Sequence, residues 1–269
     1  MIEMNSLAKE PANLKNKIFK KFKEIYNSGW WISGKNIEIF EDKWAKTINT
    51  KYCAAVANGL DALEIGMRAL NIKNGDEVIT TPLTAFATTL SIINIGAIPV
   101  FIDVDEHGLL NLKNIEKKIT KKTRAVLYVH LYGQCKDLSN LKKVCLSKKI
   151  HLIEDCAQSH LSSSDIGKSG SFGKFAAWSF YPTKNLGAIG DAGAITSDNA
   201  KLINMCKKIR NYGQTSRYKH ITKGVNSRMD EIQAGILYQK LSYLELWNKK
   251  RNLIAERYNK KIKNPKIEK

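Results

Sequence analysis

The stretch AAWSFYPTKNLGAIGDAGAITS, residues 176–197, decides the fold. Two short apolar runs, AAWSFYP (176–182) and AGAITS (192–197), bracket a lysine and a Gly-rich turn. Continuous apolar runs, as opposed to alternating ones, describe strands covered on both faces. Working outward, runs of the same kind recur at CAAVAN (53–58), EVITT (77–81), IPVFIDV (98–104), RAVLYVH (124–130) and HLIEDCA (151–157). Amphipathic segments at 60–70, 84–95, 111–120 and 137–148 alternate with them. This alternation predicts an α/β fold in which a seven-stranded, mostly parallel sheet is sandwiched by helices.

Upstream, residues 12–28 read as a basic amphipathic helix ending near Gly29, and residues 36–47 as a second helix with Ile37, Ile39, Phe40 and Trp44 as its apolar positions. Downstream lie a basic segment, 201–225, and one long helical stretch, 228–262. In that stretch Ile236, Leu237, Leu241, Leu244, Leu246, Trp247, Leu253 and Ile254 are expected to lack a covering segment. The predicted organisation is an N-terminal helical segment (1–50) packing on a large α/β domain (51–225), followed by a long helix that opens a small domain (226–269).

Composition narrows the function classes. The most apolar stretch, Thr88 to Ile102, is about 15 residues long and is interrupted by Asn94 and Pro99. A spanning helix needs about 20 residues, so no membrane segment is expected. The N-terminus lacks an apolar signal core, and a cytoplasmic protein is expected. Five cysteines without a CxxC pair point to reduced, mostly buried thiols and to neither disulfides nor a zinc site. The net charge is +19, and only seven of the 44 basic residues are Arg. Without a helix-turn-helix, zinc-finger or RNP signature, this describes a lysine-rich solvated surface that attracts phosphorylated ligands; no specific nucleic-acid partner is expected.

Four features carry chemistry. Lys184 follows a buried strand and precedes a Gly-rich turn, where desolvation would lower its pKa and make it nucleophilic; read alone, it is also an ordinary loop lysine. Asp155 closes the apolar strand HLIEDCA, at the strand end where open α/β sheets hold ligands. It could pair with a cationic ring nitrogen, or serve as a helix cap. The NGLDA turn, 58–62, offers free amides at a helix start as a phosphate cradle. Phe86 could be a flat platform for an aromatic ring, or a core residue.

In chain order these features run phosphate turn, aromatic, Asp-x-x-Gln and Ser-x-x-x-x-Lys, with Lys184 29 positions after Asp155. The order resembles the DegT-type sugar-nucleotide aminotransferases, pyridoxal-phosphate enzymes of fold type I. SGWWISGKNIEIFE, VANGLDAL, GDEVITTP, HLYGQ, IEDCAQSH, SFYPTKNLGAIGDAGAI, RNYGQ and GVNSRMDEIQAGIL all look like blocks of that family. NGLDAL, KNLGAIGDAGAI and GVNSRMDE look closest to its dTDP-3-keto-6-deoxyhexose branch.

The resemblance implies that Lys184 holds pyridoxal 5'-phosphate covalently and that Asp155 keeps its ring nitrogen protonated. Gln158 would face the ring hydroxyl and Phe86 would stack on the ring. Ser179 and the amides of Leu60 and Asp61 would bind the phosphate, and Asn226 would reach it from a neighbouring subunit of a homodimer with shared sites. No metal is implied. L-glutamate and a ketosugar nucleotide are the implied substrates, for aminosugar or surface-polysaccharide biosynthesis. Dehydratases of the family carry His at the lysine position, so Lys184 argues against that branch.

Two departures from the family pattern stand out. Leu161 follows QSH where Gly is usual, which puts the local turn in question. Family members also continue for roughly another hundred residues, so the chain reads as C-terminally incomplete. On that reading the alternative is a non-catalytic paralogue that binds the cofactor without a usable sugar site, and poor turnover on the sugar is expected.

Overall fold

Seven short apolar runs pair into one sheet, six of them largely buried and the edge strand β3 partly exposed. The computed structural model describes Leu7 and residues 10–266. In chain order the elements are α1 (Ala12–Ser28), α2 (Lys35–Thr47), β1 (Tyr52–Val56), α3 (Gly59–Ala69), β2 (Glu77–Thr80), α4 (Phe86–Asn94) and β3 (Ile98–Phe101). Next come a 3₁₀ turn (Leu112–Asn114), α5 (Ile115–Lys118), β4 (Thr123–Val129), α6 (Ser139–Ser147), β5 (His151–Asp155), β6 (Phe175–Ser179) and β7 (Gly193–Ser197). The chain continues through α7 (Ala200–Ile209), the small hairpin β8 (Gln214–Ser216) and β9 (Lys219–His220), α8 (Glu231–Leu241) and α9 (Leu244–Lys261).

The sheet order is β1-β7-β6-β5-β4-β2-β3. Only β7 runs antiparallel, to both of its neighbours β1 and β6; the remaining pairs are parallel. All seven expected strands form. Side chains alternate across β6: Phe175 and Ala177 enter the core under α3 and α7, while Ala176 and Trp178 enter the one under α2 and α8. Because both faces are covered, the strands contain few polar residues, which is why they read as continuous apolar runs. The parallel strands β4, β5 and β6 all end on one side, and Asp155 and Ser179 are the last residues of β5 and β6.

Three expectations need correction. The 111–120 helix is reduced to a 3₁₀ turn and the single turn α5. The basic segment 201–225 starts inside α7, whose first turn is capped by Asn199 and whose Leu202, Ile203, Cys206 and Ile209 are buried. The 228–262 stretch is two helices that break at Ser242 and Tyr243, and the first of them is not exposed. Ile236, Leu237, Leu241 and Leu244 are buried, covered by Leu14 and Ile18 of α1 and by Ile37, Phe40 and Trp44 of α2. The missing cover was upstream in the chain. Met229, Ala234, Leu237, Leu241 and Leu244 therefore pack in the same core as α2 and β6, and Ile236 packs against α1. Leu246, Leu253 and Ile254 of α9 do remain exposed.

A carboxylate fixes this arrangement. Glu231, 1% exposed, accepts the amides of Gly34, Asn36 and Ile37 at the start of α2, and the Asn36 side chain as well. The first amides of a helix have no internal acceptor, so a residue nearly 200 positions away caps α2 and docks α8 against it.

Candidate active site

Asp155 is 7% exposed at the end of β5. Thr88 Oγ1 donates to its Oδ2 at 2.8 Å, and the Ala157 amide donates to its Oδ1 at 3.1 Å. Burial raises its pKa above the ordinary carboxylate value; the Ala157 amide, the Thr88 hydroxyl and the positive charge of Lys184 pull it back. Lys184 is half-buried, and desolvation lowers its pKa while the charge of Asp155 opposes that fall. The two groups therefore sense each other's charge. A buried carboxylate at the end of β5 and a half-buried lysine five residues past the end of β6 thus lie near enough for each charge to shift the other's pKa.

Ser179 closes β6 against the start of α3. A Cβ placed on Gly59 would lie 2.7 Å from Ser179 Cβ and 3.3 Å from its Oγ, so only glycine lets the helix start come this close to the strand end. Asn58 caps α3 by accepting the Asp61 amide at 2.8 Å. The cap takes up the Asp61 amide, so of the two amides expected to bind the phosphate that of Leu60 is left over at the helix start. An anion held there would be favoured by the helix dipole.

The remaining expected residues fall as follows. Phe86 is the first residue of α4 and is 70% exposed, so it is a surface aromatic and not a core one. Two residues later the same helix delivers Thr88 to Asp155. Gln158 accepts the Tyr132 amide through Oε1 at 2.7 Å, which fixes its orientation. Asn226 is exposed and bridged to Asn211, and the adjacent Ser227 Oγ accepts the Ala57 amide two residues before α3. Leu161 adopts φ 64°, in the left-handed region that favours glycine. The turn is thus kept with a non-glycine residue, at a strain cost of order 1–2 kcal/mol, while Leu161 packs against the core.

Sequence reasoning missed two supports. Thr88 gave only the faint signal of a hydroxyl in an apolar helix. Glu154 gave a clearer one, because of two adjacent acids at a strand end only one can face the site. Its carboxylate is turned inward and accepts from Gly170, Phe172 and Gly173 amides and pairs with His130 Nε2 at 2.9 Å. His130, Glu154 and Cys156 lie close enough to one another to suggest a metal centre. The Glu154 oxygens are instead committed to those donors, so the cluster braces β5 against the 170–173 turn.

A sheet with this order, a lysine following β6, an acid ending β5 and an anion cradle at α3 define a pyridoxal-phosphate-dependent enzyme of fold type I. The chain belongs to the DegT/DnrJ/EryC1/StrS aminotransferase family, whose model matches residues 12–268. It is 44% identical over 269 residues to dTDP-3-amino-3,6-dideoxy-alpha-D-galactopyranose transaminase of Aneurinibacillus thermoaerophilus, covering 99% of this chain and 74% of that one. It is 39% identical to dTDP-3-amino-3,4,6-trideoxy-alpha-D-glucose transaminase of Streptomyces venezuelae, covering 87% of this chain but 62% of that protein. Among solved structures, S. venezuelae DesV in complex with a ketimine intermediate superposes with TM-score 0.90 at 37% identity, over 94% of this chain and 68% of that one. NtdA from Bacillus subtilis with bound PMP gives TM-score 0.90 at 31% identity, over 96% of this chain and 59% of that one. Among the described residues, no helix is long and apolar enough to cross a membrane.

Pyridoxal phosphate fits the residues present: a glycine-gated cradle for its phosphate, an exposed aromatic for its ring, a buried acid for its nitrogen and a desolvated amine for its aldehyde.

Proposed function

We propose that this protein transfers an amino group from L-glutamate to a keto-deoxysugar nucleotide, a dTDP-linked 3-ketosugar, for aminosugar and surface-polysaccharide biosynthesis. The observation that carries this reading is the placement of buried Asp155 at the end of β5, held by Thr88 and Ala157, with the half-buried Lys184 near enough to shift its pKa. The dTDP preference rests on relatives whose names specify dTDP-3-amino sugars. When bound, pyridoxal phosphate supplies an electron sink and carries the amino group between the two half-reactions.

The chain's own residues have separable tasks. The amides at the start of α3, with Ser179, hold the phosphate, and Phe86 covers the ring. Asp155 keeps its charge because Thr88 and Ala157 donate to it, and that charge holds a proton on the ring nitrogen. Gln158, steadied by Tyr132, faces the ring hydroxyl. Lys184 would anchor the cofactor through its amine, and its Nζ would serve as the base that holds and moves the proton of the donor's α-carbon. A depressed lysine pKa suits that role, because a base works best with a pKa near the operating pH. The reading extends to a cytoplasmic homodimer in which Asn226 of one protomer reaches the phosphate held by the other.

The test is stepwise. L-glutamate should bleach the visible band of the loaded protein, and a dTDP-3-ketosugar should restore it while yielding an aminosugar detected by mass spectrometry. Lys184→Ala should lose the borohydride-reducible adduct. An adduct that maps to a different lysine, or a band indifferent to glutamate, overturns the reading.

A further inference from the structure

The loop that carries Lys184 is held from below by three side chains. Within residues 182–190, Leu186 and Ala188 are buried, and Gly187 folds so tightly under Pro182 O that a Cβ there would collide with that carbonyl. The Lys184 amide donates to Tyr181 O and the Ala188 amide to Phe180 O, both at 2.8 Å. Polar groups that remain open in the loop are taken up by α8 and α9. Gln233 Oε1 accepts the Ile189 amide at 3.0 Å. Lys240 Nζ donates to Gly187 O at 2.9 Å. Asn248 Oδ1 accepts from Asn185 Nδ2 at 2.8 Å, and Asn248 Nδ2 donates to His160 O at 2.8 Å. The last pair ties the residue beside Lys184 to the turn that follows Asp155.

Lys240 is the unusual member. It is 7% exposed, and its charge is balanced by Glu10 at 2.6 Å, from the segment before α1. A buried lysine is costly unless paired and hydrogen-bonded, and here both conditions are met at a backbone carbonyl three residues from Lys184. A Gly-containing loop left to itself has many conformations to lose. A misplacement of about 1 Å can cost of order 100-fold in rate.

We infer that Gln233, Lys240 and Asn248 form a latch on α8 and α9 that positions the Lys184 loop, with Lys240 as its buried anchor. They are positioning residues, acting on Lys184 through Ile189, Gly187 and Asn185. The inference rests on the reading that Lys184 carries the cofactor, and its test separates the two.

Lys240→Met keeps the stem and removes the donor; Gln233→Met removes the acceptor, whereas Gln233→Glu retains one. Hydrogen exchange over residues 182–190 in the cofactor-free protein should quicken at least tenfold in both Met variants and stay at the wild-type rate in Gln233→Glu. The pH midpoint of Lys184 labelling by an amine-reactive probe should rise in the Met variants, toward an ordinary lysine value, as the loop opens to water. In the loaded enzyme, kcat should fall about tenfold with KM for glutamate within twofold. Unchanged exchange in both Met variants overturns the latch. A loosened loop with unchanged midpoint and kcat overturns its positioning role. If wild-type protein forms no adduct at Lys184, the functional reading fails while hydrogen exchange still decides the latch.

Discussion

Thr88 Oγ1 donates to Asp155 Oδ2 at 2.8 Å, bringing together a helix and a strand end that lie 67 residues apart. Thr88 is fully buried and its hydroxyl also meets Thr84 Oγ1 at 2.7 Å. The bond does two things: it aims the carboxylate, and it offsets part of the rise in pKa that burial imposes.

Thr88→Val should therefore move the acidic limb of the activity profile to higher pH. Removing a donor to the charged form leaves burial less opposed, so Asp155 takes up its proton at a higher pH and loses its charge sooner on acidification. The lost hydrogen bond to a charged group is worth about 1.5–3 kcal/mol. Asp155→Asn, which keeps the shape, should abolish turnover and weaken cofactor binding far less. A pH–rate series on Thr88→Val with an unmoved acidic limb would show that the bond has no electrostatic role.

Gly59→Ala should loosen the anion cradle. Its Cβ would meet Ser179 at 2.7 Å, forcing α3 and β6 apart where the phosphate is to sit. Overpacking of this kind costs about 1–3 kcal/mol, and cofactor affinity should fall at least tenfold in equilibrium dialysis. Wild-type affinity would place the phosphate somewhere else.

His160 should make the fold acid-sensitive. Its ring is fully buried among Trp44, Trp178 and Phe180, neither ring nitrogen has a hydrogen-bond partner among the described residues, and burial pushes its pKa down to about 3. Between about 6.5 and 3 the unfolded chain binds a proton that the folded chain excludes, so stability falls as pH drops through that window. At pH 5 the loss is roughly 2 kcal/mol. His160→Phe should flatten this dependence in urea unfolding at pH 7 and pH 5. An equal loss in both proteins would assign the acid sensitivity to other groups.

The proposed sharing of sites predicts complementation. Lys184→Ala and Asn226→Ala chains, each weakly active or inactive, should regain roughly a quarter of wild-type activity when mixed and reassociated, because half of randomly formed dimers are mixed and carry one intact site. Activity no higher than the mean of the two parents would put Asn226 in the site of its own chain.

Much of the fold was legible because a doubly covered sheet must be built from apolar runs, and seven such runs with intervening helices leave little choice of architecture. Lys184 and Asp155 were legible for a related reason: Asp155 ends one buried strand and Lys184 lies five residues past the end of another, where the chain leaves the core and a polar side chain can face a ligand. The resemblance of their order along the sequence to that of the family implied the cofactor.

What the tertiary structure decided is how those groups are held. The capping of α2 by Glu231, the covering of α8 by helices from the other end of the chain, Thr88 on Asp155 and the α8–α9 contacts to the Lys184 loop all join residues far apart in sequence. Periodicity shows that a helix has an apolar face but not which segment will cover it. In the 228–262 stretch the cover comes from α1 and α2 for α8, while Leu246, Leu253 and Ile254 of α9 stay exposed. Burial likewise sets the pKa of Lys184, Asp155 and His160, since each depends on how completely distant elements exclude water from it.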